Sequence, residues 1–119
     1  MLERLNEGVE RFNGGLYYDA HEAWEDAWRE ATGEERHWLQ GVVQAAVALH
    51  HASVGNLLGA TSVLRRALRN LGNCPETMWG LDIARLRADL TCNRDELDQG
   101  APLTRFRIES TGDTASRSR

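Results

Sequence analysis

Lysine is absent from this 119-residue chain; all 14 of its basic residues are arginine. Set against 18 Asp and Glu, they leave a net charge of −4. That balance offers no general attraction for nucleic acid or anionic lipid, so neither is expected as a partner. Cysteine is scarce as well. Cys74 and Cys92 have neither metal-ligand spacing nor a CxxC relation, and two are too few for a disulfide framework. They read as free thiols of a reducing cytoplasm. No run is long and apolar enough to span a bilayer: the longest candidate, residues 38–54, contains Gln40, Gln44, His50 and His51. The first eight residues are charged and lack an apolar signal core.

What is present is the composition of one globular domain, 41% hydrophobic and 27% charged. Three of its four tryptophans, Trp24, Trp28 and Trp38, crowd the first third, where a few large rings can dominate a small core. Leu2, Leu5, Val9 and Phe12 recur at helical spacing until Asn13-Gly14-Gly15. A second helix begins near Tyr18 and carries Ala20, Trp24, Ala27 and Trp28 on its apolar stripe. A third covers about residues 35–54. From Trp38 to Val54 it has no charged residue, which places it at the centre of a bundle, with Val43, Ala46, Val47 and Leu49 inaccessible.

Asn56 is the expected cap of a fourth helix with Leu57, Ala60, Leu64, Ala67, Leu68 and Leu71 inward. Asp82 is the expected cap of a fifth, shorter one with Leu86 and Leu90 inward. The short loops imply antiparallel neighbours. After Asn93 the pattern weakens, and Phe106 and Ile108 are too little for a strand. The expected architecture is therefore all-α, a compact bundle of about five helices over residues 1–93. Residues 94–119 follow as a polar extension, partly disordered or loosely docked.

Two stretches carry a resemblance. One is Phe12-Asn-Gly-Gly-Leu-Tyr-Tyr-Asp-Ala-His-Glu-Ala-Trp-Glu-Asp-Ala-Trp-Arg29; the other is Leu39-Gln-Gly-Val-Val-Gln-Ala-Ala-Val-Ala-Leu-His-His51, with Gly55-Asn56 and Gly59-Ala60 after it. Over roughly residues 3–90 the chain resembles the domain-of-unknown-function family 309, small helical proteins of bacteria, archaea and plastids. The resemblance implies a compact bundle of about five helices and brings no activity with it.

One polar cluster stands out. On a helix of about 100° per residue, His21 and Glu25 share a face beside Trp24 and Trp28, while Glu22 points further round. Gln40, Gln44 and His51 fall on one line of the third helix. His50 lies roughly 100° away from that line. If the two helices pack antiparallel, His21, Glu25, Trp28, Gln40, Gln44 and His51 could converge.

Three readings of this cluster are open. It could be a satisfied buried network holding helices in register. It could bind a small ligand or a protein partner, with homo-oligomers included. Or it could be a metal-assisted hydrolase, since His21-Glu22-Ala23-Trp24-Glu25 is one residue short of H-E-x-x-H; His21, Glu25 and His51 would be ligands and Glu22 the base. Glu25 stands where that pattern needs its second His, and no third ligand is identifiable. The preferred expectation is a non-catalytic binding domain with no metal or cofactor. A buried network would make both Glu25→Gln and His51→Ala destabilising by roughly 1–3 kcal/mol in thermal melts.

Overall fold

Trp24 is fully buried, and Gly8 is the reason its indole fits. A Cβ on residue 8 would overlap Nε1 and Cδ1 of the Trp24 ring, so only glycine lets the ring lie against the backbone of the first helix. There the indole N–H donates to the carbonyl of Leu5 at 2.9 Å. A large apolar ring and its single polar atom are thus both satisfied at one helix crossing.

The structure, a computed structural model, describes residues 1–111. Five α-helices follow in order among these residues: α1 Leu2–Asn13, α2 Tyr17–Glu30, α3 Gly33–Ser53, α4 Leu57–Asn70 and α5 Ile83–Gln99. A hairpin of two-residue strands, β1 Thr77–Met78 and β2 Leu81–Asp82, precedes α5. Its turn residues Trp79 and Gly80 both have positive φ, as a tight two-residue hairpin requires. The molecule is the all-α bundle its periodicity implies.

Successive helices are antiparallel neighbours. Phe12 at the end of α1 meets Tyr17 at the start of α2. Tyr18 meets His50 late in α3, while Trp28 meets Arg36 early in it. At the α3–α4 crossing a Cβ on Gly41 would lie 2.8 Å from Leu71 Cγ and 3.1 Å from the Ala67 carbonyl oxygen. Glycine there lets the two backbones approach. Arg65 pairs with Asp98 while Arg87 donates to the Leu71 carbonyl, which aligns α4 and α5 in opposite directions.

α3, free of charged residues from Trp38 onward, is the central helix, with Val43, Ala46 and Leu49 buried as expected. Val47 is only partly so. Asn56 and Asp82 cap α4 and α5, accepting from the Gly59 and Arg85 N–H groups. Leu2 and Leu57 differ from expectation: each is 55% exposed, at the first position of its helix, where the apolar stripe runs past the packed turns. Among the described residues no helix is long and apolar enough to cross a membrane.

The largest departure lies after Asn93. The fifth helix is 17 residues long rather than short, and it runs through the expected boundary to Gln99. Residues 101–111 then return along the bundle as a strap. Asn13 holds it from both sides, donating to the Ile108 carbonyl and accepting from the Ile108 N–H. Glu109 and Thr111 bond the hairpin through Asp82 and Gly80, and Ser110 bridges Leu81. Phe106 packs on Phe12 with ring centroids 5.5 Å apart. Two apolar side chains suffice because Asn13 and the hairpin supply the backbone bonds. The rest of the expected loose tail, residues 112–119, lies outside the described residues.

Ile108 is 4% exposed. Ile108→Ala should therefore cost about 2–4 kcal/mol, the loss of a core aliphatic, read as a fall in the urea unfolding midpoint. A strap without a packing role would leave that midpoint unchanged.

Candidate functional site

The α2–α3 seam brings together part of the expected cluster. His21 Nε2 lies 3.3 Å from Glu25 Oε2, and Glu25 also meets Arg29 at 3.5 Å. Glu25, Trp28, Gln40, Val43 and Gln44 surround a recess of about 130 Å³. Arg36 covers the Trp28 ring at 4.0 Å. Two nitrogens here are buried without a hydrogen-bond partner among the described residues, His21 Nδ1 and Trp28 Nε1.

Two residues of the expected set stand elsewhere. His51 contacts Asn56 at 3.2 Å between Nδ1 and Nδ2, at the turn into α4. The neighbour of α2 is His50, whose ring lies 5.4 Å from that of Tyr18, itself 5.6 Å from the ring of His21. Helical phase explains the exchange. Gln44 and His51 share a line, and Gln44 accepts from Asn70 of α4 at 2.7 Å, so that line faces α4. Val43 and His50 share the line that faces α2. Glu22 is exposed in a charged groove between α1 and α2, with Arg4, Arg11, Asp26 and Arg29. The three ligands a metal-assisted reaction would need therefore do not meet. Among the described residues no three His, Cys, Asp or Glu side chains are grouped to hold a metal ion.

A larger site lies at the other side of α3. The ends of α3 and α5, Leu57 of α4 and the strap border an open cavity of about 550 Å³. Leu49, Leu97, Leu103 and Phe106 give it an apolar lining, and Tyr17 closes one side. Asn93 stands in its wall, 1% exposed. Its Nδ2 donates to Glu96 Oε1 at 2.9 Å and to the Thr104 carbonyl at 3.1 Å. Both partners are acceptors, so the amide orientation follows from the hydrogen bonds. The amide oxygen, Oδ1, is buried and has no partner among the described residues.

Glu96 fastens the strap to α5. Its carboxylate accepts from the Thr104 hydroxyl and from the Thr104 backbone N–H. These bonds, with that from Asn93, hold its pKa below the ordinary glutamate value. Cys74 lies elsewhere in the core, and burial pushes its thiol up to about 11 despite the charge of Arg87. It is no activated nucleophile.

The cavity was not found from the sequence because its walls come from residues spread between 17 and 106. One signal existed. Leu86, Leu90, Asn93 and Leu97 follow the four-three-four spacing of an inward stripe, and Asn93 is the polar residue on it.

The model of the family described as "Domain of unknown function (DUF309)" matches residues 5–63. A conserved hypothetical protein of Thermus thermophilus, known from a crystal structure, is 36% identical. The match covers 78% of this chain and 94% of that one, with a TM-score of 0.67. The chain belongs to the DUF309 family. An uncharacterized protein of Aquifex aeolicus is 35% identical over 89 residues, which is 74% of this chain and 27% of that relative. This DUF309 chain thus matches about a quarter of the Aquifex protein's length. The family match ends within α4, so α5 and the strap, which build much of the cavity, lie beyond it.

Two expectations follow from this geometry. Gln44→Ala leaves the amide of Asn70 without its acceptor and should cost about 1–2 kcal/mol. Glu25→Gln alters a contact 40% exposed and should cost under about 1 kcal/mol; thermal melts of the pair check the order. The second expectation concerns acid. The Glu96 pKa is lower in the folded state than in the unfolded one. The stability this adds is present above the unfolded value of 4.5 and is lost as pH falls through the lowered one. Amide protection of residues 101–108, corrected for intrinsic exchange, should fall in that acid range. Glu96→Gln should show the loss already at neutral pH.

Proposed function

We propose that this protein is a non-catalytic binding domain of the cytoplasm whose ligand is a small, largely apolar molecule. The cavity between α3, α5 and the strap receives it. The observation that carries this reading is the Asn93 side chain: a buried amide oxygen without a partner, in the wall of an apolar cavity. An unmade hydrogen bond of that kind costs roughly 1–3 kcal/mol, which a ligand donor would recover on displacing the side chains that cover the oxygen. A volume of about 550 Å³ suits a small organic molecule. The two free cysteines support the cytoplasmic assignment.

The lining argues for binding over chemistry. Ser53, a hydroxyl at the cavity, donates to the carbonyl of His50 at 2.7 Å. That hydrogen bond is to an acceptor that cannot take up a proton for catalysis, so the serine is not activated as a nucleophile. The metal-assisted reading finds no support in the separation of His51 from His21 and Glu25.

A second reading is favoured by one observation: Leu16, Tyr18, Val54, Leu57 and Leu58 are all more than half exposed, on or beside the turns joining α1 to α2 and α3 to α4. Such a group marks a protein-docking surface, for a second copy of the chain or another protein.

N-phenyl-1-naphthylamine tests the first reading, because it is apolar and has one N–H donor. Its fluorescence should rise saturably with one site per chain. Ser53→Trp, at an exposed position on the cavity wall, should abolish the rise while the thermal melt stays cooperative. A folded parent protein that fails to bind the dye overturns the proposal.

A further inference from the structure

Among the described residues one charged side chain lines the cavity, and it is a cation. The wall residues are otherwise apolar or neutral, with Asn93, Ser53, Thr104 and Tyr17 the polar ones; Arg105 is the exception. Its guanidinium reaches from the strap across Gly15, where a Cβ would lie 2.6 Å from one of its terminal nitrogens. Gly15 has φ +83, a conformation that glycine adopts without strain. The absence of a side chain there leaves room for the guanidinium.

Arg105 also stands apart from most arginines of this chain. Arg4, Arg11, Arg29, Arg65, Arg85 and Arg94 each meet a carboxylate. Arg87 donates to two backbone carbonyls and Arg36 covers Trp28. Among the described residues the side chains of Arg105, Arg69 and Arg107 have no ion pair and no hydrogen bond, and of these three only Arg105 lines the cavity. The nearest acid in sequence, Glu109, makes no ion pair with it; Asp98 pairs with Arg65, and Glu96 has its carboxylate occupied by Thr104 and Asn93. In a protein with more acidic than basic residues, an unpaired cation beside an apolar cavity is the local charge an anion would require. Guanidinium also matches the planar fork of a carboxylate or the oxygens of a sulfonate or phosphate.

We infer that the ligand of this cavity is amphipathic and anionic: an apolar body in the cavity, with an acidic group at its mouth bound by Arg105. This rests on the binding reading above and adds its ligand class. The three features are spatially ordered. The apolar body meets Leu49, Leu97 and Phe106, a hydrogen-bond donor on it faces Asn93, and the acid lies toward the α1–α2 turn. Anionic binding of this kind weakens as salt screens the exposed guanidinium.

Two dyes separate the claims. 1-Anilinonaphthalene-8-sulfonate has the apolar rings and N–H of N-phenyl-1-naphthylamine and adds a sulfonate. For each protein the ratio of the two dissociation constants cancels effects on the cavity itself. Arg105→Gln should reduce the preference for the sulfonated dye about tenfold, as loss of one charge-assisted contact does. Its affinity for the neutral dye should be unchanged. Arg107→Gln removes the same formal charge from the same strap and should leave the ratio as in the parent. If Arg105→Gln leaves the ratio unchanged, or Arg107→Gln lowers it equally, Arg105 does not receive the anion and the inference fails while the cavity reading stands. If neither dye binds the parent protein, both fail together.

Discussion

The contact between Trp24 and the Gly8 backbone sets the geometry on which the rest of the bundle is built. An indole cannot enter a helix crossing unless the opposing helix gives up a side chain, and Gly8 does so. The N–H then finds the Leu5 carbonyl and the ring finds Phe12 at 5.6 Å. Phe12 in turn supports both Tyr17, which starts α2, and Phe106, which comes from the strap. A single aromatic seat thus connects the first helix pair to the C-terminal segment. Tyr17 and Phe106 both continue into the cavity wall. Packing at the α1–α2 crossing and the shape of the candidate site are therefore one mechanical unit.

Two polar arrangements play different parts. At the α2–α3 seam the contacts are local or shared with α4: His21 meets Glu25 within α2, while Gln44 to Asn70 and His51 to Asn56 tie α3 to α4 and its cap. Among the described residues both places keep buried polar atoms without a partner: His21 Nδ1 and Trp28 Nε1 at the seam, and one amide oxygen at Asn93. The amide is oriented by Glu96 and Thr104, so its oxygen has no freedom to exchange places with Nδ2. An acceptor whose orientation is held in advance is the kind of group the proposed binding would use.

Much of the fold was legible in the residue pattern for reasons that act within one helix. Asn56 and Asp82 cap because a short acceptor side chain reaches the N–H groups of the next turn. The third helix is central because nothing between Trp38 and Val54 carries a charge. The end of the fifth helix was harder to see. Past Asn93 it carries Arg94, Asp95, Glu96 and Asp98, so its inward stripe narrows to Leu97. The strap was harder still: its order comes from Asn13, 95 residues away in sequence from Ile108.

The sequence by itself determined the all-α class, the central helix, two caps and the family, since each depends on local periodicity or on a contiguous motif. Tertiary structure decided the sites. Whether His50 or His51 meets α2 depends on which face of α3 that helix chooses, a rotation of about 100° that composition does not specify. The cavity depends on α3, α5 and the strap meeting at a distance. A polar residue on an apolar stripe, Asn93, reveals only there that one of its two amide atoms is left without a partner. The charge of Arg105 could be counted in the chain, but its lack of a partner is a property of distance.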